Sequence, residues 1–342
     1  MEYATLGRSG VKVSKICLGM MSYGSPDWQK WVLPKASGEH FVRRALDSGV
    51  NFFDTADFYS YGESEQILGD TISNLASRHE VVICTKVGLP MGSGVNGGGL
   101  SRKAIRSRVE DSLRRLRTDY IDIYLLHEPD PLTPLEETLD AMHDLVREGK
   151  VLYAGASNYP AWAMAKLAYA SRYGYGRRWS VAQIQYNLCY REDERDVLPL
   201  CDSEGMGVMV YSPLARGWLA SPGTTNASAM SAEELKRLET DLKARSLYGN
   251  DSDIAVRACL AKLAERRGVS MSCLAMSWVM SRPSVTSMLC GVLQDKHLDE
   301  AIAALELKLT ADEILELNAA YRPQALKDTG LGAVLQSGTK SE

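Results

Sequence analysis

Short apolar, β-branched runs punctuate the chain at residues 16–18, 51–54, 81–85, 121–126, 151–156, 181–186, 208–211 and 287–290. Most successive starts lie about thirty residues apart, the length of one strand–helix–strand unit. The segments between them carry apolar positions at helical spacing. Ser101 precedes residues 102–116, in which Ile105, Val109, Ser112, Leu113 and Leu116 share one face. Pro134 opens a helix running to Glu148 and Gly149 stops it, as a proline at the start and a glycine past the end predict. Eight strand-like runs with helices between them predict an α/β fold, a closed (β/α)8 TIM barrel forming one domain over residues 1–342. The competitor is an open doubly wound sheet, whose first strand should lead into a glycine fingerprint. Here the first run leads into LGMMSYG. The glycines of GSGVNGGG, residues 92–99, are not followed at once by a strand-to-helix phosphate turn and read as a flexible surface loop.

Two regions break the rhythm. Residues 1–14 predict an N-terminal β-hairpin ahead of the first barrel strand, a plug on the barrel floor. Residues 215 to about 252 form a long polar connection after the seventh run. Long loops in compact domains are usually functional or disordered, and on the C-terminal face of a barrel this one predicts a lid over cofactor or substrate.

Composition narrows the class. Apolar residues make up 45% and charged residues 24%, with a net charge of -4, the balance of a soluble globular protein. No basic face or stripe is present, which excludes a nucleic-acid binder, and the Arg114-Arg115 and Arg177-Arg178 pairs read as solvated helix faces. No apolar run approaches membrane-spanning length and no secretory leader pattern opens the chain. The seven cysteines lack CxxC spacing, so neither a disulfide framework nor a metal site is predicted, and a reduced, cytoplasmic setting is expected.

Chemistry in a parallel barrel sits where strands run out at the C-terminal face. Those ends are Asp54, Lys86, His127, Ser157-Asn158, Gln183 and Tyr211, with Tyr59 in the loop just after Asp54. Singly, each has an ordinary structural role: a helix cap, a surface lysine, a core histidine, a loop anchor. Three ionisable residues ending three consecutive strands point to a site. Tyrosine, lysine, aspartate and histidine together suggest proton delivery to a carbonyl. An ammonium beside the phenol lowers its pKa, Asp54 holds Lys86 charged, and His127 orients the substrate oxygen. A Schiff-base aldolase using Lys86 as nucleophile is the alternative chemistry, disfavoured because Asp54 stabilises the charged amine.

With these residues in place, the chain resembles the aldo-keto reductases, above all their bacterial and fungal single-chain members. DTADFYSYGESE, GLSRKAIRSRVEDSLRRLRTDYIDIYLLHEPD, GKVLYAGASN, VAQIQYNL and VYSPLARG follow one another in family order over almost the whole chain. The resemblance implies a nicotinamide cofactor, NADPH with NADH use possible, extended across the C-terminal face. It implies an aldehyde or ketone as substrate and a monomer or weak homo-oligomer. It makes Asp54, Tyr59, Lys86 and His127 the catalytic tetrad, with Tyr59 the general acid. Ser157, Asn158 and Gln183 match the positions that hold the carboxamide, and Tyr211 the aromatic stacked on the nicotinamide. Ser212, Leu214, Arg216 and Gly217 match the pyrophosphate strap, and Gly19, Met20 and Met21 the segment beneath the ribose. Gly291, Gln294, His297 and Glu300 match the last cofactor segment, CGVLQDKHLDEA, which departs from the family pattern. Ala301 stands where asparagine is usual and Leu293 where a polar or basic residue is common, leaving Lys296 as a charge for a 2′-phosphate. Tyr23, Trp28, Trp31, Phe58 and Trp218 are candidates for the substrate pocket, and Asp57 for its entrance. Potassium-channel β subunits share this fold and tetrad, so a cofactor-binding regulatory subunit is the alternative from another class. An added N-terminal segment would favour it, whereas this chain starts almost at the hairpin.

Overall fold

The computed structural model describes residues 1–175, 178–220 and 232–326. The chain opens with an antiparallel hairpin of β1 (Tyr3–Thr5) and β2 (Lys12–Ser14). Its turn lies against the start of a barrel strand: Gly7 has φ +56°, and a Cβ there would fall 2.4 Å from the Gly207 nitrogen. The hairpin is therefore a plug on the floor, with Leu6 fully buried.

Among the described residues, the parallel strands β3 (Ile16–Gly19), β4 (Phe52–Asp54), β5 (Val82–Val87), β6 (Ile121–Leu126), β7 (Val151–Ser157), β8 (Val181–Gln185), β9 (Gly207–Tyr211) and β10 (Ser287–Gly291) close into a barrel. Each pairs with its successor, and β10 returns to β3 with Gly291 opposite Gly19. The chain thus forms the (β/α)8 barrel. The helices are α1 (Lys35–Asp47), α2 (Glu63–Leu75), α3 (Arg102–Leu116), α4 (Leu135–Arg147), α5 (Ala161–Tyr175), α6 (Val197–Glu204), α7 (Ala232–Thr240), α8 (Leu242–Leu247), α9 (Asp251–Arg267), α10 (Met271–Met280), α11 (Asp295–Glu306) and α12 (Ala311–Ala320). Ser101 caps α3 by accepting from the Ala104 nitrogen at 3.2 Å. Pro134 precedes α4, and Gly149, at φ +76°, follows it in the conformation that ends a helix.

Successive side chains on a strand point to opposite faces. Cys17, Phe52, Val82, Cys84, Ile123, Leu125, Val181, Met209 and Leu289 fill the barrel interior, while their neighbours in sequence pack outward on the helices. Moving one inward step further toward the C-terminal face from these positions reaches Gly19, Asp54, Lys86, His127, Gln183, Tyr211 and Gly291. The same alternation that builds the core therefore gathers residues from different strands into one layer at the mouth. Tertiary packing of the barrel converts strand period into a site.

Two expectations change. The described part of the connection after β9 is helical, forming α7 and α8, while residues 221–231 lie outside the described residues. The glycine loop is pinned: Met91 N donates to Gly97 O, Gly97 N to Gly94 O and Gly99 N to Gly88 O, each at 2.8 Å.

Candidate active site

Lys86 is the hub. Fully buried, it donates to both oxygens of Asp54 at 2.8 and 2.7 Å, to Thr55 O at 2.8 Å and to the Tyr59 hydroxyl at 3.3 Å. Its ammonium also lies 4.9 Å from the Tyr59 ring centroid. Burial alone disfavours the ammonium, but the Asp54 carboxylate outweighs it and carries the lysine pKa well above its usual value. A lysine held charged is a poor nucleophile, which weighs against the Schiff-base alternative. The phenol departs from expectation: burial raises the Tyr59 pKa more than Lys86 lowers it, because Asp54 already neutralises that ammonium. Tyr59 is thus a protonated acid at neutral pH.

His127 stands edge-on to Tyr59, ring centroids 5.7 Å apart, 8% exposed. Burial, then Lys86 and Lys243, push its pKa well below the ordinary value, so the ring is neutral. The unfolded chain protonates that imidazole near about pH 6.5 and the folded chain does not, so this group costs stability as pH falls below that value. His127→Gln is expected to show a smaller loss of melting temperature between pH 7.5 and 5.5 than the parent, by roughly 1 kcal/mol equivalent; an equal loss counts against a neutral ring.

The neighbouring strand ends are wired to these groups. Gln183 Nε2 donates to Asp54 Oδ1 at 2.7 Å. Asn158, in the left-handed region at φ 60°, donates from Nδ2 to His127 O at 3.1 Å and accepts from the Tyr211 hydroxyl at 2.7 Å. Ser157 is buried beside them. Residues after β9 form a strained turn, with Ser212, Ala215 and Arg216 at φ 54°, 50° and 55°. Such backbone costs about 1–3 kcal/mol per residue and clusters at functional sites. Leu214, Arg216 and Gly217 lie in that turn. Gly19 and Met21 are partly exposed at the mouth, whereas Met20 is fully buried, its carbonyl accepting from Ser64 Oγ at 2.9 Å. Gly291 is exposed, Gln294 precedes α11, and Glu300 is half-buried on it. Ala301 is completely enclosed.

The helices after β9 add residues that the sequence did not single out. Arg216 places Nε and Nη2 at 2.8 and 2.7 Å from Asp241 Oδ2. Arg237 of α7 approaches the same oxygen at 3.7 Å and covers the Trp31 ring at 4.4 Å. Burial, then Arg216, bring Arg237 down to about 10. Two guanidiniums facing one carboxylate leave net positive charge at the rim, which suits a phosphate. His297 Nδ1 accepts from Leu293 N at 3.2 Å, so Nε2 donates to Glu234 Oε1 at 3.0 Å, and Lys296 meets the same oxygen at 3.0 Å. No local signal marked Arg237, Asp241 or Glu234, which lie in a polar connection and acquire partners only when it packs.

Trp28 lies 6.0 Å from Tyr59 and 5.7 Å from Phe58, forming an aromatic wall at the phenol. Tyr23 belongs to the core, its hydroxyl donating to Val292 O at 2.8 Å. Trp218 lies under Arg257 at 3.7 Å, and its Nε1 donates to Asp253 O. Asp57 does not face the entrance: it is fully buried, turned back to Arg108 at 3.1 Å. Among the described residues no helix is long and apolar enough to cross a membrane.

A barrel mouth holding a buried lysine–aspartate pair, a protonated phenol and a neutral imidazole has the equipment of an oxidoreductase acting on a carbonyl group. The chain belongs to the aldo/keto reductase family, whose family model matches residues 15–322. It is 37% identical to a versiconal hemiacetal acetate reductase of Aspergillus parasiticus, covering 95% of this chain and 98% of that one. It is 36% identical to a putative aryl-alcohol dehydrogenase of Saccharomyces cerevisiae, with 95% and 98% covered. An uncharacterized oxidoreductase of Bacillus subtilis is 34% identical, with 93% and 95% covered. This protein is therefore an oxidoreductase of that family, with a small carbonyl compound as its class of substrate.

Proposed function

We propose that this chain is an NADPH-dependent reductase of an aldehyde or ketone, with Tyr59 donating the proton to the carbonyl oxygen. The observation that carries the reading is the hydrogen bond from a buried, Asp54-paired Lys86 to the Tyr59 phenol. Lys86 draws electron density from the phenol as its proton leaves, so the developing phenolate meets an ammonium already in place. The neutral His127 ring beside Tyr59 donates a hydrogen bond to the carbonyl oxygen and fixes its direction. The chemistry a nicotinamide supplies when bound is hydride.

Residues fit to hold such a cofactor are present. Ser157, Asn158 and Gln183 bring hydroxyl and amide groups suited to a carboxamide, and each amide keeps hydrogen-bonding capacity beyond the bonds above. Tyr211 offers its ring face, and Arg216 with Arg237 supplies positive charge for the pyrophosphate. Gly19 and Gly291 offer bare backbone. The 2′-phosphate end is thin: Lys296 is paired with Glu234, and Leu293 and Ala301 are buried and apolar. Titration following tyrosine and tryptophan fluorescence is expected to show NADPH bound more tightly than NADH, by less than a thousandfold, roughly 4 kcal/mol. Binding of neither would remove the reading. The wall of Trp28 and Phe58 beside the phenol supports a carbonyl compound bearing a flat ring, in line with the aryl alcohol for which one relative is named.

A further inference from the structure

Behind the tetrad lies a second set of buried charges that the proposed reaction does not touch. β5 turns Lys86 into the barrel and Thr85 outward, where Thr85 Oγ1 donates to Glu65 Oε1 of α2 at 2.6 Å. Arg115 of α3 donates to the other Glu65 oxygen at 2.7 Å. Two turns earlier on the same helix, Arg108 is 7% exposed and donates to Asp57 Oδ2 at 3.1 Å. It also donates to Leu89 O at 2.7 and 3.0 Å from its two terminal nitrogens, and to Gly97 O at 2.9 Å. One guanidinium thus joins α3, the glycine loop and the loop carrying Tyr59.

Asp57 sits two residues before Tyr59, and its backbone nitrogen donates to Lys86 O at 3.3 Å. Just past Tyr59 the chain enters the left-handed region at Ser60 and Tyr61, φ 49° and 51°. Strained backbone of this kind persists only where the surroundings over-determine it. Arg108 lies on the buried stripe of α3 beside Ile105, Val109 and Ser112, where an apolar residue would pack as well. Replacing a buried ion pair by apolar packing often costs no stability, and in some proteins such a pair serves to fix one geometry.

We propose that Asp57 and Arg108 are positioning residues: their ion pair holds the Tyr59 loop and the glycine loop as one unit against the carbonyl site. This rests on the reading of Tyr59 as proton donor. The pair is also sensitive to pH. Burial pushes the Asp57 carboxyl up to about 7 against the pull of Arg108, with Glu65 raising it and Arg115 and the Phe58 N–H lowering it. The Tyr124 hydroxyl of β6 faces the same cluster and is itself pushed up by burial and by Asp57. Below that pH the carboxyl is protonated and the pair is lost, so kcat falls as pH drops.

The test is Asp57→Asn in the full chain, supplied with NADPH and an aromatic aldehyde. The experiment combines a pH profile of kcat, a cofactor titration by fluorescence and a melting temperature. Asparagine keeps the shape and one acceptor for Arg108. Expected are a kcat loss on the order of 10- to 100-fold above pH 7, an unchanged cofactor affinity, loss of the acid limb, and partial recovery in Asp57→Glu. Should Asp57→Asn not fold, Arg108→Lys carries the same test, since it keeps the charge and loses the fork that spans three acceptors. A kcat within about twofold of the parent with only melting temperature reduced would overturn the proposal. If instead Tyr59→Phe keeps full activity, the proton-donor reading has failed, whatever Asp57→Asn shows.

Discussion

Tyr59→Phe is expected to lower kcat for carbonyl reduction by on the order of 10²–10⁴-fold, the usual contribution of a positioned general acid. Cofactor affinity and melting temperature should stay close to the parent values. The substitution removes one oxygen whose bond to Lys86 is long, at 3.3 Å, and it leaves the ring in contact with Trp28 and His127. No neighbour can readily take over. His127 is neutral and weakly acidic, and Lys86 holds its protons too tightly to give one up. Because the phenol is raised above its ordinary value, the parent should keep its acid form past about pH 10 in the absence of cofactor. With Tyr59 as the proposed proton donor, reduction needs that form, so on the alkaline side its rate falls as pH rises through the phenol pKa. Single-turnover rates at saturating cofactor give the comparison. A rate within about tenfold of the parent would place the proton donor elsewhere, in solvent or on His127.

The layer of residues at the barrel mouth was legible because each one closes an apolar run whose inward step is already set by strand period. Asp54 follows Phe52, Lys86 follows Val82 and Cys84, and His127 follows Ile123 and Leu125, all inward-pointing. What could not be read is where a loop turns. Asp57 looks like an entrance acid from its place between Asp54 and Tyr59, yet it turns back to Arg108. Arg108 itself left a trace: it stands three residues after Ile105 and four before Ser112, on the stripe predicted to be buried. A charged residue on such a stripe calls for a buried partner, and that partner lay 51 positions away. The groups of α7 and of the residue capping α8 left no trace, since Glu234, Arg237 and Asp241 owe their roles to contacts made only when this connection packs. The direction of the Tyr59 shift was missed for a different reason. Sequence shows the charge that lowers a pKa more readily than the burial that raises it.

Lys86→Met should be the most destabilising single change at the site. It leaves the Asp54 carboxylate, 2% exposed, with Gln183 Nε2 as its remaining side-chain nitrogen donor at 2.7 Å. Removing one partner of a buried pair costs about 3–5 kcal/mol, because the surviving charge keeps its desolvation penalty without its counter-ion. In the parent, the raised lysine pKa means that the pair's contribution is fully present below the unfolded value of about 10.5 and is lost only as pH rises through the folded one. Adding Asp54→Asn removes the stranded charge and should restore much of the stability while leaving reduction abolished. Urea unfolding midpoints of the parent, both single variants and the double variant decide the matter. A double variant whose loss equals the sum of the two single losses would mean that the two charges are not energetically coupled, and that Asp54 serves the phenol by some route other than its hold on Lys86.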